Sequence, residues 1–421
     1  MRLGQLGVWL SIVAGTMVLG YPACAQADDQ WNLDPSVWFA DGPFSARLSG
    51  LLMVDFGHIS DKYDKQSTSD VQLRKFGLVL DGTLWDDFRF KAEGVVVDDD
   101  DLQLEEAYVQ YAGFRPLQIT VGNMKTPNGL ENFSDLRNLT LVEPNSFSEG
   151  YGFEHKLGVS LTWLDEFVRA DVGFYEGGPS LDKAGIKSDS HGYAIAGRFA
   201  TFPEFWDTRL HLGASILYRN YGNPSASNFV RYRLRPLSRI SKLYYNDTLE
   251  LSVGGDLFFG VEVAAFHGPF FWESEYGWLR LNDLQIKGDF RQPRSTYEGG
   301  YLGLGWFITG EERGYRQGAL VRTNVLRPVF QGGWGAWMVN IRIDYVELVG
   351  DATHQYGGEQ LGYIAGLNWY INDHVVVKFN YQRSEVRDAL DLRNPVTGES
   401  NVVDQLARNS INTFMVRLQV F

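Results

Sequence analysis

Apolar and polar residues alternate singly along most of this chain, and a period of two leaves few architectures open. Phe76, Leu78 and Leu80 alternate with Lys75, Gly77, Val79 and Asp81. After the turn Trp85-Asp86-Asp87, Phe88, Phe90, Ala92 and Gly94 alternate with Arg89, Lys91 and Glu93. Ala107, Val109 and Tyr111 alternate with Glu106, Tyr108 and Gln110; Val375, Val377, Phe379 and Tyr381 alternate with Val376, Lys378, Asn380 and Gln382. Successive side chains of a strand point to opposite faces, so each segment has one apolar and one polar face. The pattern is that of strands, and no long amphipathic helix interrupts it. A β-sandwich and a membrane barrel both alternate in this way. Aromatics at 14%, with 46 glycines against 14 prolines, suit a barrel with aromatic girdles and tight turns. The last segment points the same way: Phe414, Val416, Leu418 and Val420 oppose Met415, Arg417 and Gln419 and lead to a final aromatic, Phe421. Phe421 has the parity of Arg417 and Gln419, a detail that a frayed or bulged last residue would explain. At about ten residues per tilted strand, the chain is expected to be all-β, a transmembrane antiparallel barrel of about sixteen strands.

The first residues read as an export signal. Arg2 is followed by the uncharged apolar stretch Val8–Leu19 and by Ala25-Gln26-Ala27, an A-x-A cleavage site before Asp28. Residues 1–27 are therefore expected to be removed, taking the only cysteine, Cys24, with them. Residues 28–421 are expected to form a single barrel domain without thiol, disulfide or thiolate metal site. Beyond the signal no run of eighteen apolar residues occurs, which excludes a helical span. The net charge of −14 argues against nucleic acid as a partner. It does not argue against an anion pore, whose selectivity is set by local charge. The acidic block Asp98–Asp101 is expected to be a solvated hairpin tip.

Residues 229–239 read Phe-Val-Arg-Tyr-Arg-Leu-Arg-Pro-Leu-Ser-Arg. Arg231, Arg233 and Arg235 recur at every second residue, so a strand would carry them as a row on one face, with Val230, Tyr232 and Leu234 on the other. In a barrel the apolar row is expected to meet lipid, because an arginine at the bilayer midplane costs about 2–4 kcal/mol. The arginines, with Arg239 beyond them, then belong in the lumen. The longest stretch without clean alternation, Thr126–His155, contains Pro127, Gly129, Pro144, Gly150 and Gly152. Long irregular connections in compact domains are usually functional. Residues 126–155 are accordingly the candidate constriction loop, folded into the lumen.

Several separated stretches carry a family resemblance. One runs from Ala107-Tyr108-Val109 to Val121-Gly122-Asn123-Met124-Lys125-Thr126-Pro127-Asn128-Gly129-Leu130-Glu131. Another is Trp306-Phe307-Ile308-Thr309-Gly310-Glu311 with Gly335-Ala336-Trp337; a third is Gly366-Leu367-Asn368-Trp369-Tyr370-Ile371-Asn372, leading to Arg417–Phe421. Together they resemble the phosphate-selective porin O and P family across nearly the whole chain after the signal. The resemblance implies a bacterial outer-membrane barrel, usually trimeric, with inward loops at its constriction. It further implies a ladder of lumenal arginines and a central phosphate site containing a lysine. Arg231, Arg233, Arg235 and Arg239 resemble part of that ladder. Lys125, in the family's Lys-x-Pro-x-Gly-Leu-Glu stretch, is the candidate for the narrow zone.

These residue types suit oxyanions. Arginine offers a planar, permanently charged fork matched to an oxygen pair, and lysine a compact point charge. Arginines two residues apart advance about 6.6–6.8 Å, so an ion passes between moderate sites without losing all its donors. The competing reading is that the arginines pair with neighbouring Asp and Glu and fix the shape of the barrel. No nucleophile, metalloprotease or phosphate-loop motif is present, and the seven histidines are dispersed, so neither an enzyme nor a cofactor is expected. The expected function is a passive channel for phosphate or related small anions, with a general diffusion porin as the alternative. Expected partners are the anions, outer-membrane lipid, two further copies in a homotrimer, and the barrel assembly machinery acting on the last strand.

Overall fold

The computed structural model describes residues 36–61, 66–97, 102–176, 192–222, 230–284, 295–350, 357–390 and 406–421. The expected signal at 1–27 and the block Asp98–Asp101 lie outside the described residues.

Sixteen long strands follow one another: β1 (Phe44–Asp61), β2 (Gln66–Leu84), β3 (Phe88–Val96), β4 (Leu102–Phe114), β5 (Leu117–Lys125), β6 (His155–Leu164), β7 (Val168–Glu176) and β8 (Tyr193–Thr201). They continue as β9 (Thr208–Asn220), β10 (Gly255–His267), β11 (Phe270–Asn282), β12 (Thr296–Phe307), β13 (Ala336–Glu347), β14 (Gly357–Tyr370), β15 (Val375–Leu390) and β16 (Leu406–Val420). Each pairs antiparallel with its sequence neighbours. The circle closes where Leu52–Asp61 of β1 meets Val420–Ile411 of β16. Beside the lower part of β1, the short strand Ser36–Asp41 pairs with Ser49–Phe44. Closure removes every long unpaired edge, which is what a sheet in lipid requires.

The alternation resolves as the lipid reading demands. Phe76, Leu78 and Leu80 are exposed, whereas Lys75, Gly77 and Val79 are buried. On β16, Phe414 and Leu418 are exposed while Met415, Arg417 and Gln419 are fully covered. Apolar residues outside and charge inside invert a soluble protein; the outer rows are the lipid face. Stacked aromatic pairs at one end, Phe270 with Trp306 and Trp337 with Trp369, form part of a girdle. That end also carries the short turns at 85–87, 115–116, 165–167, 268–269 and 371–374, which mark the periplasmic side. Two of its turns share an unusual solution. Trp206-Asp207 takes positive φ at both residues, the backbone of a two-residue hairpin turn normally given to Asn-Gly, and Trp85-Asp86 takes the same signs within a three-residue turn. Trp85 and Trp206 are 67% and 96% exposed, so the residue at each turn tip suits the membrane interface rather than the backbone.

Phe421 is neither frayed nor bulged outward. Its amide donates to the His374 carbonyl at 3.0 Å, its own carbonyl accepts from His374 Nδ1 at 2.8 Å, and the Arg322 guanidinium stacks 4.8 Å from its ring. Its inward parity is real: it turns into the barrel and meets an inward periplasmic segment.

Candidate functional site

Among the described residues, three connections fill the lumen. Residues 126–154, between β5 and β6, contain the short helices Leu130–Phe133 and Ser146–Gly150. The loop is held on the far wall largely through its backbone. The amides of Leu130 and Glu131 donate to the Glu275 carboxylate at 2.7 and 2.8 Å. Gly129 is needed at this approach: its φ is +67°, and a Cβ there would stand 2.5 Å from Glu275 Oε2. Beyond it, an extended stretch lies across β13–β16. Asn340 and Asn368 donate to the Thr140 carbonyl at 3.1 and 2.6 Å, and Lys378 to Leu139 O at 2.7 Å. The Val142 amide donates to Asn380 at 2.9 Å, and Gln419 donates to Arg137 O at 2.7 Å. Alternate polar residues of four strands thus satisfy a buried loop backbone that would otherwise be costly to desolvate.

Charged pairs complete the docking. Arg417 reaches Asp55 on β1 at 2.6 and 2.7 Å and Glu143 on the loop at 3.0 Å, and it also donates to Val142 O. Glu143 further meets Arg74 at 3.2 Å and Arg239 at 3.8 Å. Burial pushes the Glu143 carboxyl up, but Arg74, Arg417 and Arg239 outweigh it and hold it at about 2.

The arginine run does not lie on a wall strand, and its apolar row does not meet lipid. It belongs to the second inward connection, described over residues 230–254, where Arg233–Leu234 pairs with Asn246–Asp247 as a two-residue ladder and Val230 bridges Leu251. Val230, Tyr232 and Leu234 are buried in the barrel interior, in one apolar cluster with Phe147, Tyr151 and Tyr297. The alternation is real, but the surface that takes the apolar row is the constriction loop and the inner wall. Each arginine has its own setting. Arg231 is paired with Asp247, Arg235 with Glu149 at 3.2 Å, and Arg239 with Glu143. Arg233 forms no ion pair with a carboxylate among the described residues. Its guanidinium stacks 4.0 Å from the centroid of Tyr244, and that of Arg235 stacks 4.3 Å from the same ring.

Lys125 ends β5 at the head of the constriction loop. Its ammonium donates to the carbonyls of Asn132 at 2.9 Å and Ser134 at 2.6 Å, and it forms no ion pair among the described residues. It lines a cavity of about 970 Å³ between the loop and β2–β6, which Arg239 and Glu149 also border. Lys125 and Arg239 therefore share one space, bounded by Glu149; Arg235 reaches it through that carboxylate. Six Lys or Arg residues and eight Asp or Glu residues line this cavity, so its field is mixed rather than uniformly positive.

The third connection, residues 308–335, leaves the periplasmic end and turns inward. Arg313 pairs with Glu273 at 3.1 Å and donates to Asn138 O at 2.8 Å, while the Leu320 amide donates to Ser134 Oγ at 2.8 Å. It meets the constriction loop from below. Sequence reasoning missed this segment, although loss of alternation with Gly310, Gly314, Gly318, Pro328, Gly332 and Gly333 signalled it. Tyr244, Glu143 and Glu149 were missed for another reason: nothing local links them to the arginines they hold.

A family model described as phosphate-selective porin O and P matches residues 47–407. Porin O of Pseudomonas aeruginosa is 26% identical over 386 residues, covering 82% of this chain and 84% of that protein. Among solved structures, outer-membrane expressed OmpT of Vibrio cholerae aligns with a TM-score of 0.55 at 10% identity, over 91% of this chain and 99% of that one. An anion-selective porin from Comamonas acidovorans aligns with a TM-score of 0.54 at 13% identity, over 89% of this chain and 99% of that one. Likeness at such low identity speaks for the fold.

Proposed function

The chain belongs to the phosphate-selective porin O and P family, outer-membrane channels, and from that premise we propose that its lumen favours small oxyanions, phosphate among them. The observation that carries the reading is the pair Arg233 and Arg235. Two guanidiniums share one aromatic ring, and only Arg235 is paired with a carboxylate, Glu149, which leaves Arg233 uncompensated among the described residues. Lys125, held by carbonyls alone, adds a second point of positive charge at the head of the constriction. An oxyanion entering past Arg231, Arg233 and Arg235 moves toward Arg239 and the Lys125 cavity, exchanging water for charged donors at each step. Several moderate sites favour flux, because an ion held too tightly does not leave. We extend the proposal to a homotrimer, each subunit with its own pore.

A second reading has its own support. Arg231, Arg235 and Arg239 each have an acid partner, and the cavity lining carries more acids than bases. On that reading the arginines shape the lumen of a general diffusion porin. Reversal potential across a KCl gradient in a planar bilayer, followed by titration with inorganic phosphate, separates the two. The oxyanion reading expects chloride over potassium and saturable block by phosphate, both weakened in Arg233→Ala. Cation selectivity, or chloride current indifferent to phosphate, would leave the general porin.

A further inference from the structure

We propose that Tyr244 is the positioning residue of the oxyanion path, holding the Arg233 guanidinium beside that of Arg235 and keeping it from being neutralised by the nearby Asp247. The inference rests on the oxyanion reading above. Arg233 is the direct register partner of Asp247, the carboxylate that Arg231 occupies. Arg235 is already paired with Glu149. Flexible side chains between such acids settle into internal salt bridges, and the pathway would lose its positive charge.

Tyr244 opposes this collapse. The segment reverses after Arg239 and returns through Asn246–Asp247, which brings the half-buried Tyr244 ring back against the run. Both guanidinium carbons then lie about 4 Å from its centroid, well inside the roughly 6 Å reach of a cation–π contact. The Nε atoms of Arg233 and Arg235 are buried with no hydrogen-bond partner among the described residues. Stacking on Tyr244 therefore holds the Arg233 guanidinium, while that of Arg235 is held by the same ring together with its bond to Glu149. Stacking engages the flat face of a guanidinium and leaves its edge donors for oxygen. The ring's negative face also offsets repulsion between two like charges. A carboxylate in its place would hold the arginines too, but would cancel the charge that an anion reads.

The test compares wild type, Tyr244→Phe, Tyr244→Leu and Arg233→Lys in planar bilayers, measuring chloride current against added inorganic phosphate and the anion-to-cation permeability ratio. Tyr244→Phe keeps the ring and is expected to stay within about twofold of wild type. Tyr244→Leu is expected to raise the half-blocking phosphate concentration by about fivefold or more and to lower the permeability ratio. Arg233→Lys keeps the charge but loses the planar stack, and is expected to shift in the same direction; it carries the test if the leucine variant fails to assemble. Wild-type block with no shift in Tyr244→Leu, or in Arg233→Lys where that variant stands in, would overturn the role of Tyr244 alone. A wild type indifferent to phosphate would remove the oxyanion reading and this inference together.

Discussion

Glu149 and Glu143 lie on the same loop, yet their surroundings drive their carboxyls in opposite directions. Burial raises Glu149 above the ordinary carboxylate value, and Arg239 with Arg235 only partly counter it. Glu143 sits at about 2 because three arginines overcome its burial. As pH falls, a raised carboxyl takes up its proton first, above the ordinary value near about 4.3. Arg235 then loses its counter-charge while the loop anchor keeps its own. Anion-over-cation permeability is expected to rise as pH falls from 7 to about 5, read from reversal potentials. Glu149→Gln should show the acidic value already at pH 7; a flat pH profile would remove Glu149 from the pathway. For Glu143 the sign is the reverse: its depressed carboxyl contributes docking that is complete above the ordinary carboxylate range and lost as pH falls through about 2. The identities of these arginines were legible in sequence, but their partners were not. Arg235 meets an acid 86 residues away, and no local pattern encodes such a meeting.

Among the elements, the wall strands could be read from their period and the inward connections only in part. Residues 126–155 betray themselves because a loop carried on side chains from opposite strands needs no period of its own. The stretch 229–239 misleads because period two states only that the chain is extended between two unlike surfaces. Lipid and water are one such pair; the packed loop and the open lumen are another, and Val230 to Arg235 lie between the latter. Docking of the constriction loop depends most on Arg417, fully covered and shared between Asp55 and Glu143. Arg417→Ala leaves the buried Asp55 without its guanidinium and takes one of three arginines from Glu143, a loss of about 3–5 kcal/mol. Larger and noisier single-channel conductance is expected, together with a lower temperature for the heat-induced gel shift. Conductance indistinguishable from wild type would show that the remaining contacts, from Glu275, Asn340, Asn368, Lys378, Asn380 and Gln419, suffice to hold the loop.

For the whole molecule, net charge and selectivity are separate properties. The chain carries −14, yet the charge an ion meets is that of the side chains within a few ångströms of its path. Screening acts on the long-range part of the field, since the Debye length falls from about 10 Å at 0.1 M salt to about 3 Å at 1 M. Anion preference is therefore expected to decline between 0.1 and 1 M KCl, while block by phosphate, a contact effect, should persist. A preference that grows with salt would exclude a long-range positive field as its source. The same barrel also carries an order of events. Asp55 and Arg417 stand 362 residues apart and meet only when the first long strand finds the last, and the arginine that meets Asp55 there also grips Glu143. The constriction thus gains its anchor at the step that closes the wall, and until then no finished cylinder exists for it to narrow. One side chain belongs both to the seam of the wall and to the narrowing inside it, and a change there is expected to be felt in both.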